Sequence, residues 1–303
     1  MSTPPAEPRI EATLRRRRWL IPVLDLLVVG ALFAGLAACL RAFVALDAAA
    51  APARLPGQIA AVVMAGLLAH AILIVTVHDG AHKAITRTRA DAIIMNVGAG
   101  LLLVPFFAEP FRRLHLVHHA HANEPGDPLW PRFKRDLYHR HRRVYMLAEL
   151  VPLLFSILAI VSPPAQDAAG TRPLAGPKLR PALLILSFAV AAVTAWLVRP
   201  PLAFALGTIV AVNAWGALRH WCEHLGSDRS RQSNTFAFPL GMGIGNHAAH
   251  HDYPAYSWIT MALGLRGRCK DTNPWRTLVA MWRDPTFGHY EAPVQRNGGR
   301  VWT

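Results

Sequence analysis

The sequence predicts an all-α integral membrane protein: four transmembrane helices, further helices at the membrane interface, and a helical cytoplasmic cap that holds a histidine-rich di-metal site. Three observations lead to it. The 303 residues are 53% hydrophobic and 17% charged, with the apolar residues gathered in blocks, a composition of membrane chains rather than of one soluble domain. The basic residues that give a net charge of +14 stand beside those blocks. Most of the 15 histidines fall in groups just outside them.

Residues 1–19 form a basic tail that ends in Arg15 to Arg18, and the first apolar block follows at 20–40. The second block covers 58–77, and both match the ~20 residues that a helix needs to cross a bilayer core. Blocks at 181–198 and 201–218 are separated only by Arg199, Pro200 and Pro201; prolines cannot continue a helix interior, so a tight hairpin of two crossing helices is expected. Two weaker blocks, Ala92 to Phe111 with Gly98, Gly100 and Pro105, and Val144 to Val161 with Glu149 and Pro152, read as interfacial or re-entrant. One domain is expected over 1–303, with 78–180 and 219–303 making the cap and the interfacial segments.

Charge sets the topology. Arg87, Arg89, Arg112, Arg113 and the basic stretch 132–143 adjoin apolar blocks, which places them on the cytoplasmic side of a bacterial inner membrane or its equivalent. No nucleic-acid recognition motif accompanies the charge, so nucleic acid is excluded as a partner. The loop 162–180 holds Arg172, Lys178 and Arg180 against Asp167, which keeps both of its ends inside and leaves Val144 to Val161 on the interface. Cys39, Cys222 and Cys269 are too few and too scattered for a disulfide framework. Arg15 to Arg18, an apolar run and Leu36-Ala37-Ala38-Cys39 have the form of a lipoprotein signal with Cys39 acylated. An uncleaved first span fits better, because further spans follow it. Asp25, near its cytoplasmic end, is expected to snorkel toward water.

The chemistry lies in three histidine boxes. His78 and His82 are four apart, so on a helix continuing the second span they share a face and can grip one metal. In His115, His118 and His119 the first histidine shares a face with both others, while the adjacent pair diverges by about 100 degrees. Adjacent histidines can therefore serve two different metals. The same spacing returns at His247, His250 and His251, beyond a turn rich in glycine at 241, 243 and 245. A single exposed cluster is as consistent with a solvated, adventitious metal-binding face as with a site; three boxes are not. Imidazole without thiolate suits iron, copper or zinc, and eight box histidines exceed what one four-coordinate zinc can use. Two metals are implied.

HxxxH, HxxHH and HxxHH in this membrane setting resemble the membrane fatty acid desaturase superfamily, which includes acyl desaturases, hydroxylases and carotenoid ketolases. The resemblance covers roughly 58–262 and includes Asp127-Pro128 after the second box, and Asn246 to Pro254 with Trp258 at the third. It implies two iron ions held by His78, His82, His115, His118, His119, His247, His250 and His251, with His224 of Glu223-His224 as the ninth ligand. His220 stands where acyl desaturases have an asparagine that reaches iron through water, so it is a possible tenth ligand or a residue behind the ligands. Asp79, Asn123, Asp127, Glu223 and Asp252 adjoin ligands and can accept an imidazole N–H, fixing its tautomer. His70, two turns below His78, is an ionisable group within a span and so either functional or a helix-packing hydrogen bond. Asn213 is a weaker candidate on the last span. His121, His139, His141 and His289 read as surface residues, and 273–284 as an amphipathic interfacial helix.

What the resemblance implies for activity is dioxygen-dependent oxidation of a lipid or other long apolar substrate: desaturation of a fatty acyl chain first, hydroxylation or ketolation of acyl chains, alkanes or carotenoids second. No electron-carrying segment is present in the sequence, so a separate donor such as a ferredoxin is expected to dock on the basic face. A metal transporter or sensor would line a path within the helices with ligands, whereas here all but His70 lie outside the blocks. A zinc hydrolase would need an HExxH helix or its equivalent, and no HExxH occurs.

Overall fold

The computed structural model describes residues 19–48, 50–122, 127, 132–151, 176–224, 233–264 and 273–287. Among these the architecture is helical, with no strand. Helix α1 (Leu20–Ala45) and α2 (Ala51–Leu73) form the first hairpin, α2 running on through a π turn (Ile74–His78) and a last turn (Asp79–Ala81). Helices α3 (Ala90–Leu101), α4 (Ala108–His121) and α5 (Arg132–Glu149) follow. The second hairpin is α6 (Pro181–Val198) and α7 (Leu202–His224), and three short helices complete the chain: α8 (His247–Asp252), α9 (Trp258–Gly264) and α10 (Pro274–Arg283).

Four helices are long and apolar enough to cross a membrane: Leu20–Ala48, Pro52–Ala81, Pro181–Val198 and Leu202–His224. They cover the four blocks expected from sequence, but three of them run further. The backbone ladder of α2 continues past Val77 to Ala81, and that of α7 past Leu218 to His224, because a helix stops where its hydrogen bonds stop and not where its side chains become polar. That extension carries both helices straight into the histidine site.

Helix α2 is the centre of the bundle. In its apolar window 56% of the residues are buried inside the protein, against 11% in each of the other three spans, so α2 is wrapped by protein while they face outward. Its contact with α7 is a close backbone approach. A Cβ placed on Gly66 would run into the side chain of Ala211 and stand 2.9 Å from that residue's carbonyl carbon. The α1–α2 turn is tied by Asp47, which accepts from Arg54 Nη2 at 2.7 Å and from Gln58 Nε2 at 3.0 Å. At the α6–α7 corner Arg199 takes the left-handed conformation, φ 45°, and its Nε donates to the Trp196 carbonyl.

Helix α3 is 12 residues long, about 18 Å at 1.5 Å per residue, too short to span a bilayer. It packs instead on α6 and on the π turn: a Cβ at Gly98 would stand 2.8 Å from Cβ of Thr76, and one at Gly100 2.7 Å from the Ser187 carbonyl oxygen. Ser187 in turn donates to the Asn96 carbonyl at 2.8 Å. Behind α3, Glu109 is fully buried and receives Arg180 Nη2 at 2.6 Å and Asn96 Nδ2 at 3.0 Å. Burial would raise its carboxyl pKa, but those hydrogen bonds and the charges of Arg180 and Arg112 leave it below the ordinary value.

Helix α5 is broken at His141 (φ −142°, ψ 55°); of the weaker block at 144–161, residues 152–161 lie outside the described residues. Asp25 departs from expectation. It does not snorkel: it is 2% exposed and lies against the Trp258 side chain. Helix α10 has the amphipathic character expected of 273–284, with Trp275, Val279 and Trp282 exposed and Thr277 and Met281 buried. Arg142 Nε and Nη2 donate to its Met281 and Trp282 carbonyls.

The Gly66 contact leaves no room for a side chain. Gly66→Val is expected to lower stability by about 1–3 kcal/mol through overpacking, read as a fall in unfolding temperature of the detergent-purified protein. Gly30→Val, where a Cβ meets nothing within 4 Å, is the matched control and should leave that temperature unchanged.

Candidate metal centre

Each histidine box is delivered by a helix end. His78 closes the π turn of α2, and His82 caps the turn after it. His115, His118 and His119 sit on the last two turns of α4, and His224 is the last residue of α7. His247, His250 and His251 occupy α8, whose entry depends on glycine. Gly243 has φ +81°, and a Cβ there would lie 2.6 Å from the Trp258 carbonyl oxygen.

The structure gathers the nine histidines into one cluster with two parts. Donor atoms of His78, His82, His115, His119 and His250 converge in one group, and those of His118, His224 and His251 in a second, while His224 also groups with His247 and Glu223. The adjacent pairs divide as helix geometry requires: His119 joins the first group and His118 the second, His250 the first and His251 the second. The parts adjoin, with the rings of His119 and His251 stacked at 4.2 Å.

The donor set fits metal ions. Nε2 of His119 stands 3.1 Å from Nε2 of His115 and 3.1 Å from Nε2 of His250. Nε2 of His118 stands 3.1 Å from Nε2 of His224. Two nitrogens bound to one metal at ~2.1 Å and at right angles to each other lie about 3 Å apart. Nε2 of His78, His82, His247 and His251 is buried with no hydrogen-bond partner, a costly arrangement for polar atoms unless something binds them. Burial first, and then repulsion from neighbouring rings, holds His115, His119, His247, His250 and His251 well below the ordinary histidine pKa. His82 is pushed to about 3 by burial and by His118. These six rings are held toward the neutral form, in which imidazole binds metal.

Carboxylates orient the rings from behind. Nδ1 of His118 donates to Asp127, 2.9 Å from both oxygens, and Nδ1 of His78 donates to Asp79 Oδ1 at 2.9 Å. Both contacts leave Nε2 for a metal. Asp79 is fixed by the Trp258 backbone N–H at 2.9 Å. Glu223 lies 3.4 Å from His247 Nδ1 and pairs with Arg219 at 2.9 Å. Asp252 is exposed, and Asn123 lies outside the described residues. His220 stands outside the converging groups, its ring 6.1 Å from that of His224. Of the residues expected at the surface, His141 is exposed, His121 and His139 are half-buried, and His289 lies outside the described residues.

A cavity of about 470 Å³ leads from this centre into the bundle, with His78 in its wall. Its lining is mostly apolar, including Phe33, Leu36, Leu73, Leu103, Phe107 and Phe204. His70, Glu149, Thr194, Thr208, Asn213 and Arg219 interrupt it. The Trp258 contact to Asp79, the Glu109 ion pairs and the polar cavity wall were not foreseen as a set. The only sequence signal for them is that polar residues stand in or beside apolar blocks.

Fold and site together define a helical integral membrane protein with a histidine-built centre suited to two metals, placed where long helices leave the bundle. The fatty acid desaturase family model matches residues 53–262, well over half of the chain, and the chain belongs to that family of oxidoreductases. Comparison with curated proteins and with solved structures gives no match.

The carboxylate contacts separate two kinds of neighbour. Asp127→Asn should weaken metal binding about 10–100-fold by removing the anchor of His118, measured by retention of iron against a graded chelator. Asp252→Asn, altering an exposed side chain, should retain iron as wild type does.

Proposed function

We propose that this chain is a di-iron, dioxygen-dependent desaturase that introduces a double bond into a fatty acyl chain. The observation that carries the reading is the convergence of nine imidazoles, six buried and three half-buried, in two adjoining groups at the head of an apolar cavity. His78, His82, His115, His119 and His250 would hold one iron, and His118, His224, His247 and His251 the other. Two irons held there supply reductive activation of dioxygen, two electrons and two protons being added so that the two hydrogens taken from neighbouring carbons leave as water.

The chain's own residues do the rest. The apolar wall takes the substrate chain out of lipid and holds it beside the centre, with water excluded. Asp79 and Asp127 hold the tautomers of His78 and His118. The extension of α2 and α7 beyond their apolar stretches, together with the exposed basic residues Lys83, Arg87, Arg89, Arg140 and Arg143, supports a multi-pass chain with its metal centre on the cytoplasmic side. The same basic residues offer an acidic electron donor such as a ferredoxin a place to dock.

Mass spectrometry of total lipids and pigments from a host expressing the chain, beside a His250→Ala control, tests the reading. Acyl chains lighter by two hydrogens, absent in the control, are expected. A gain of oxygen in place of that loss would contradict desaturation and make the chain a hydroxylase or ketolase.

A further inference from the structure

Asp25 is a buried ionisable group that the metal centre and the cavity leave without a role. It sits in the first span, 2% exposed, and a carboxyl group held at that depth is costly unless it serves something. Its height is set by the α1–α2 hairpin. A Cβ at Gly57 would stand 2.9 Å from the Leu46 side chain, and one at Gly35 3.2 Å from that of Leu68. The same antiparallel pairing, continued toward the histidines, brings Asp25 level with His78.

No described cation pairs with it. The charged neighbours of Asp25 are two more acids, Asp91 and Asp79, and the polar group against it is the Trp258 indole. Neither the Asp25 carboxylate nor the indole nitrogen, both buried, has any other partner among the described residues. An apolar side chain would pack against the ring at lower cost; what a carboxyl oxygen adds is direction, by accepting the indole N–H. Direction matters at Trp258. Its backbone N–H donates to Asp79 Oδ2 at 2.9 Å, and Asp79 Oδ1 accepts from His78 Nδ1 at 2.9 Å. Its carbonyl oxygen is the atom that a Cβ at Gly243 would meet at 2.6 Å, and its ring packs with Leu32 of α1 and Ile72 of α2. One residue thus joins the first span, the end of the second, and the turn that leads to the third histidine box.

Resting on the reading that His78 holds a metal, we propose that Asp25 is a positioning residue of the metal centre: it fixes the Trp258 indole, and through the Trp258 backbone it fixes Asp79 and the ring of His78. The first span, which carries no histidine, then takes part in holding the metal of the His78 group and not that of the His118 group.

Metal retention tests this without turnover. Full-length protein purified after growth on 57Fe is exposed to a graded chelator, and Mössbauer spectra report which iron is lost. In Asp25→Leu the iron of the His78 group should leave at about tenfold lower chelator than in wild type, the low end of the effect of residues that orient ligands. The iron of the His118 group, identified as the one that Asp127→Asn loosens, should leave as in wild type. Asp25→Asn keeps an oxygen for the indole and should restore wild-type retention. Trp258→Phe keeps a ring, loses the N–H, and should match Asp25→Leu; the double variant should be no worse than either, because the two groups act as one unit. Trp258→Phe carries the test if Asp25→Leu fails to fold. Leu32→Ala, in the same packed cluster, should lower the unfolding temperature and leave retention unchanged. Wild-type retention in Asp25→Leu, equal loss of both irons, or the same loss in Leu32→Ala would overturn the proposal and leave Asp25 a packing residue. A wild type that holds no iron would overturn it together with the desaturase reading. Lipid products of the same preparations report separately: selective iron loss without product sinks that reading alone.

Discussion

Nine imidazoles crowded into adjoining groups, six of them buried and three half-buried, are the constraint around which this fold is organised. Protonated, they would repel one another at van der Waals distance; neutral and without a shared partner, they would leave several buried nitrogens unbonded. Metal ions resolve both difficulties at once, and so metal binding and folding are expected to be coupled at this point in the molecule. The carboxylates of Asp79 and Asp127 belong to the same solution. Each removes one N–H from the interior of the cluster by accepting it from behind, and each is itself placed by backbone: Asp79 by the Trp258 N–H, Asp127 by its position beyond the end of α4.

The cluster depends in turn on where the long helices end. Helix α2 is the most enclosed element, and its last turns are the first histidine box, so any shift of α2 against α7 moves His78 and His82 relative to His224. Gly66 at that crossing, and Gly98 and Gly100 on α3, bring backbones close enough for the relation to be set by hard contact rather than by flexible side chains. The π turn at Ile74–His78 widens the helix where it passes from bundle to site, a feature frequently found at functional positions. The Glu109–Arg180 pair ties the start of α4 to the segment entering α6, so the helix that carries the second box is anchored to the second hairpin. The same helices wall the cavity, and thus one set of contacts places both the metals and the space for a substrate.

Much of this was legible in the sequence, because it is local. The four apolar blocks, the proline corner at Pro200 and Pro201, and the histidine spacings each encode an element or a face without reference to the rest of the chain. Division of His118 from His119 and of His250 from His251 follows from 3.6 residues per turn alone. What could not be read depends on tertiary partners. Nothing local distinguishes Asp25, buried beside α9 and α2, from an acid that reaches water, or says that Glu109 would meet Arg180 across 71 positions. The π turn carries no composition signal, and the cavity exists only between elements. His220 shows the limit of spacing as a guide: it shares a helix face with His224, yet its ring stands apart from the convergent donors.

The central claim is that the cluster holds two irons through nitrogen donors. Mössbauer spectroscopy of protein purified after growth on 57Fe, together with metal quantification, tests it directly. The account predicts two irons per chain with spectra of nitrogen- and oxygen-ligated high-spin sites, and loss of iron in His119→Ala. A single bound metal, or zinc in place of iron with full occupancy, would contradict it.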